Sequence, residues 1–138
     1  ELTEQKSINL ERCLSFWPRF NLQLKSNGLS QQNAAWTKVA FMKRREDRLI
    51  YYCAVPFTSK VPANFVLEEI PACKYLVVEH RGAMAHIYST YADIYQGLIP
   101  KLDLSLEQTN FLHFEKYDEK FHWNRESSVI EIWVPLKA

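Results

Sequence analysis

A chain of 138 residues can enclose one sizeable core, and 47% hydrophobic with 24% charged residues is the composition of an ordinary folded domain. A formal net charge of +1 argues against a nucleic-acid binder working by bulk charge. The three glycines, Gly28, Gly82 and Gly97, stand alone, which excludes a glycine-rich phosphate loop, and no apolar run approaches the ~18 residues that would cross a membrane.

In chain order, Leu2 to Leu24 predicts a first helix. Ser7 is its N-cap, and Leu10, Cys13, Leu14, Trp17 and Phe20 follow at helical spacing. Pro18 should kink the helix or end its regular part, and Ser26-Asn27-Gly28 stops it. Residues 36–43 and 49–57 then form a hairpin with its turn at Arg44–Arg48. The basic run Lys43-Arg44-Arg45, followed at once by Glu46-Asp47, fits a solvated hairpin tip better than a phosphate grip. Residues 58–64 link this hairpin to a short extended piece at Phe65–Ile70 and a strand at Tyr75–Glu79. Past the break at Gly82, the spacing of Met84, Ile87, Tyr91, Ile94, Tyr95 and Leu98 predicts a second helix ending before Pro100. Strands at 111–117 and 129–136 close a last hairpin.

The final strand, Val129 to Pro135, is the most informative stretch. Side chains alternate across a strand, so Ile130, Ile132 and Val134 form one apolar face, and Glu131 and Trp133 lie on the other. A carboxylate beside an indole there is either the solvent side of a half-buried strand or the wall of a ligand cleft.

The order helix-strand-strand, then strand-helix-strand-strand, is a near repeat. Val55-Pro56 aligns with Val134-Pro135 at a shift of 79, which matches Tyr52 to Glu131; Trp17 aligns with Tyr95 at a shift of 78. We expect an α+β domain of two βαββ halves, 1–57 and 65–138, lacking the first strand of the first half.

Several motifs in the right order are similar to the gyrase-inhibitor-like (GyrI-like) small-molecule-binding domain. That domain also serves as the effector-binding domain of AraC- and MerR-type regulators and occurs alone as an integron-associated effector-binding protein. The motifs are Glu69-Ile70-Pro71-Ala72-Cys73-Lys74-Tyr75, Glu79-His80-Arg81-Gly82 and Ile87 to Tyr95. Leu98-Ile99-Pro100, Phe114-Glu115-Lys116-Tyr117 and Glu131-Ile132-Trp133-Val134-Pro135 complete the set. Leu2 to Gln5 and Phe16 to Asn21 resemble the family's entry to its first helix. The resemblance implies two halves related by a pseudo-twofold, an antiparallel curved sheet and a ligand cleft between the halves. It further implies that Glu131 and Trp133 face this cleft and meet a cationic, often aromatic, ligand.

An isolated carboxylate in an apolar cleft either takes up a proton or meets a cation, and aromatic rings add cation–π attraction. Glu131, Trp133, Tyr52, Trp36 and Tyr91 are therefore the expected ligand-binding residues, and a lipophilic cation is the expected partner. Core packing is the competing role for Trp36 and Tyr91, and a place at a strand end is expected for His80. His86, His113 and His122 show no metal-ligand spacing, and neither a metal nor a cofactor is expected. Cys13, Cys53 and Cys73, odd in number and widely spaced, fit a reduced cytoplasmic protein with inert buried thiols.

Binding is the expected activity. The alternatives are a hydrolase of strained genotoxic electrophiles using Glu131 as a base, and an inhibitor module that docks on a larger protein. Regulation of transcription would need a separate DNA-binding partner, because no helix-turn-helix pattern occurs in the sequence. Glu1 in place of Met leads us to expect upstream residues that supply the missing strand. A loop over the open edge or a homodimer would be the other ways to cover it.

Overall fold

Among the described residues five strands form one antiparallel sheet: β1 (Lys38–Arg45), β2 (Arg48–Ala54), β3 (Lys74–Arg81), β4 (Phe111–Tyr117) and β5 (Val129–Leu136). The order across the sheet is β2-β1-β4-β5-β3. Outward from the central β1–β4 pair it runs β1, β2 on one side and β4, β5, β3 on the other. Among the described residues no strand pairs with the outer edge of β2, one strand of the hairpin expected to have an open edge. The computed structural model describes residues 6–29, 37–56, 60–107, 111–122 and 125–137. Trp36, Phe57, Trp123 and residues 2–5 lie outside the described residues.

The first helix, α1 (Lys6–Ser26), begins before Ser7 and runs through Pro18, so Ser7 lies inside it and the proline does not end it. It ends where the sequence predicts. Gly28 adopts φ +69°, Leu29 N–H donates to Leu24 O at 2.8 Å, and Gly28 N–H donates to Lys25 O at 3.1 Å. This pair of bonds satisfies carbonyls that a helix end leaves open, and it needs a left-handed residue that glycine supplies without strain. Leu24, Leu29 and Phe20 then bury one another in a small core of their own.

The second helix is composite. A 3₁₀ turn (Met84–His86) leads into α2 (Ile87–Ala92), a π-helical stretch (Asp93–Leu98) and α3 (Ile99–Lys101). It continues through Pro100 rather than ending before it. Asp103, at φ +51°, closes it with the same pair of bonds seen at Gly28: Leu104 N–H to Ile99 O and Asp103 N–H to Pro100 O, both 3.1 Å.

The hairpin turn is two residues, Glu46-Asp47, tighter than the sequence predicts, because β1 and β2 pair as far as Arg45–Arg48. Residues 65–70 pair with no strand. A bulge at Met42/Lys43 shifts the β1–β4 register beside His113.

Strand alternation gives the sheet two different faces. The face toward the second helix carries Ile130, Ile132 and Val134, with Ile132 and Val134 fully buried, packed with Met84, Ile87, Ile94 and Ile99. The outer face carries a row of aromatic rings in register across four strands: Tyr52, Phe41, Phe114 and Trp133. Phe41 stacks on Tyr52 at 4.7 Å and Phe114 on Trp133 at 5.2 Å, ring centre to ring centre. Cross-strand aromatic pairs of this kind stabilise a sheet.

Candidate functional site: a tyrosine-lined cleft around Glu115

Between α1, the second helix and the inner face of the sheet lies a cleft of about 750 Å³. One wall is α1, where Cys13, Leu14 and Trp17 recur at helical spacing; the opposite wall is Tyr88, Tyr91 and Tyr95 of the second helix. The floor is built by β4, whose alternation turns His113, Glu115 and Tyr117 to the helices. In register beside Glu115 stand Ala40 on β1 and Ile132 on β5, so its flanks are apolar and one of them is small.

Glu115 is buried to 7% exposure. Tyr91 donates to one of its carboxylate oxygens and Tyr117 to the other, both in short hydrogen bonds. Burial pushes its pKa up; the two phenol donors and the nearby His80 pull the other way without cancelling the rise. No ion pair engages Glu115 among the described residues. The phenols of Tyr51, Tyr91 and Tyr117 are held well above their ordinary range, first by burial and then by the Glu115 charge, so they remain donors. Trp17 Nε1–H donates to the Tyr51 hydroxyl at 3.0 Å, tying α1 to the cleft wall.

Farther along β4, His113 Nδ1 lies 2.9 Å from the Tyr95 hydroxyl, and the Tyr91 ring sits 4.6 Å from the imidazole. Burial pushes His113 down to about 4, so it is neutral at physiological pH. Its Nε2 is buried with no hydrogen-bond partner among the described residues.

Of the five residues expected at the ligand, the structure brings Tyr91 to this cleft. Glu131, Trp133 and Tyr52 stand on the outer face, because the apolar side of β5 is the one the second helix covers. Glu131 is half-exposed, 3.8 Å from Lys116 Nζ. Trp133 and Tyr52 belong to the aromatic row, and Lys116 Nζ lies 6.0 Å from the centre of the Trp133 ring. Trp36 lies outside the described residues. His80 is buried on β3 and bonds Thr90 Oγ1 at 2.6 Å and Ala83 O at 3.0 Å. Cys13, Cys53 and Cys73 are free thiols, but Cys73 is exposed in the loop before β3 and does not fit the expected buried thiol. Among the described residues no three His, Cys, Asp or Glu side chains gather as a metal site, and no helix is long and apolar enough to cross a membrane.

The sequence holds a signal for Glu115. On a strand, His113, Glu115 and Tyr117 share a face, and three polar side chains on one face of a central strand must be satisfied under whatever covers it.

The fold and cleft can now be set beside known proteins. Residues 3–136 match the family model described as "Integron-associated effector binding protein". The chain belongs to that family. Membership makes it an effector-binding protein, one that takes a small molecule. It is also similar to the transcriptional regulator BrlR of Pseudomonas aeruginosa, at 30% identity over 77 residues. That alignment covers 55% of this chain and 28% of the regulator, so the chain spans little more than a quarter of its relative's length.

Proposed function

We propose that this effector-binding protein takes lipophilic aromatic cations in the cleft around Glu115. The observation that carries this reading is a buried carboxylate whose hydrogen bonds, among the described residues, come from the phenols of Tyr91 and Tyr117. Such a group is costly to keep charged in apolar surroundings, and a cation entering the cleft relieves that cost. Tyr51, Tyr88, Tyr91 and Trp17 offer ring faces, which attract a cation and stack on a flat ligand. The volume lies within the range of small-molecule sites, about 300–1,000 Å³.

The role is binding rather than turnover: Glu115 supplies charge, and its two phenol donors hold it in place. Likeness to a transcriptional regulator over part of its length supports a sensing role, with DNA contacts made by another chain or segment. Three free cysteines suit the reducing cytoplasm as its place of work.

Equilibrium dialysis with tetraphenylphosphonium and its neutral analogue triphenylphosphine oxide tests this reading. The cation is expected to bind at least tenfold more tightly. Equal affinity for the two would overturn the role of charge.

A further inference from the structure

The β1–β2 hairpin is a wall with a cavity on each side. Tyr51 faces the cleft described above; Tyr52, its neighbour in sequence, lines a second cavity of about 310 Å³ on the outer face. The floor of this second cavity is the stacked Phe41–Tyr52 pair, whose rings lie within 6° of parallel. Its roof is the chain segment around residues 61–70, which crosses the hairpin without joining the sheet.

Two ties hold that segment in place. Phe65 packs edge-on to Phe20 at 6.3 Å, and Glu68 pairs with Lys43 at 3.0 Å and Arg45 at 3.9 Å. Between the ties, Val66 and Leu67 line the mouth of the cavity, yet they stand 71% and 68% exposed. Apolar side chains of this size are driven out of water when space is available. Here the space lies beside them, and the ties on either side keep the segment from collapsing into it. A guest in the cavity would bury both side chains along with its own surface.

We propose that this cavity is a second ligand site, selective for a compact neutral hydrophobe of one or two fused rings. Neutrality follows from the lining. Among the described lining residues the one carboxylate, Glu68, is already matched by Lys43 and Arg45, so neither a cation nor an anion finds an unpaired charge to offset the loss of its hydration. Size follows from the volume, at the lower end of small-molecule sites. Ring shape follows from the flat aromatic floor. The site is independent of the Glu115 cleft and does not rest on the cleft's ligand class.

Methyl-detected NMR titration of the full chain with 1-methylindole, which is neutral and has no N–H, tests the proposal. The methyls of Val61, Val66 and Leu67 report on this cavity, and that of Ile87 reports on the cleft. Saturable shifts at the first three are expected, with a dissociation constant below about 1 mM, whether or not Ile87 also responds. Ala54→Leu, which fills the cavity, and Leu67→Asp, an exposed change at its mouth, are each expected to weaken binding at least tenfold. Should Ala54→Leu fail to fold, Leu67→Asp alone decides. An absence of saturable shifts at these methyls, or unchanged affinity in both variants that fold, would overturn the site.

Discussion

Tyr91 on the second helix donates its phenolic proton to Glu115 on β4, joining the wall of the cleft to its floor. Tyr117, on the same strand, donates to the other carboxylate oxygen. Both acceptor atoms are therefore engaged within the protein. In the proposed role a ligand would meet a fixed carboxylate bordered by aromatic faces, rather than one free to swing toward it. Such preorganisation lowers the ordering cost of binding.

Removing the Tyr91 donor should be felt in both stability and binding. Tyr91→Phe leaves one buried carboxylate oxygen without its partner, which costs about 1–3 kcal/mol in urea unfolding. Because a hydrogen bond to the charged form favours that form, the pKa of Glu115 should rise further. The pH midpoint for cation binding, followed by fluorescence titration, should move upward with it.

Cation affinity itself should rise with pH. Binding favours ionised Glu115, whose folded pKa lies above its ordinary 4.5 because of burial. Lys38, His80, His113, Cys13 and the tyrosines Tyr51, Tyr88, Tyr91, Tyr95 and Tyr117 are the other titratable groups that bear on the cleft or on Glu115 among the described residues. Their phenols and the thiol, at about 11 for Cys13, stay protonated at neutral pH. Isothermal titration in buffers of different ionisation heat should show proton release on binding near the raised pKa and none well above it.

His113 makes stability rise with pH on the acid side, and Glu115 does the reverse. Its folded pKa is depressed by burial, from 6.5 to about 4. The stability it contributes is therefore present above pH 6.5 and lost as pH falls toward about 4, on the order of 3 kcal/mol in all. Glu115 has a raised pKa, so its contribution is present below pH 4.5 and lost as pH rises through the folded value. Thermal melts across pH 4–8 should show a smaller acid loss in His113→Gln than in the wild type, and a smaller loss toward neutral pH in Glu115→Gln.

The end of α1 offers a test of backbone geometry alone. A Cβ at Gly28 would meet nothing within 4 Å, so any penalty comes from φ +69°. Gly28→Ala should cost about 1 kcal/mol in urea unfolding, and Gly28→Asn less, because asparagine tolerates the left-handed region better.

Much of the fold was legible because its signals are local. Both helices, the two hairpin strands, and β3 to β5 follow from apolar spacing and breakers, within a few residues at their ends. The π-helical stretch at Asp93–Leu98 and the bulge at Met42/Lys43 have no local signature in the sequence. The site was legible only in part. Alternation along β5 separates Glu131 and Trp133 from Ile130, Ile132 and Val134, but it does not say which face the helices cover. The wholly apolar face is the one that needs covering, and this sends Glu131 outward to Lys116. On β4 the same alternation sends Glu115 inward beside Tyr117, and the second phenol that satisfies it comes from Tyr91, 24 residues earlier in the chain. That pairing exists only once the helix lies on the sheet.

The central claim is that Glu115 rather than Glu131 supplies the charge that recognises the ligand. Tetraphenylphosphonium affinity measured by isothermal titration for Glu115→Gln and Glu131→Gln, beside the wild type, tests it most directly. Each change keeps shape and removes one charge. We predict that Glu115→Gln loses about 1.5–3 kcal/mol of binding, the range for a charge-assisted contact, and that Glu131→Gln binds as the wild type does. Loss of affinity in Glu131→Gln with Glu115→Gln unaffected would contradict the account and return the ligand to the outer face of the sheet.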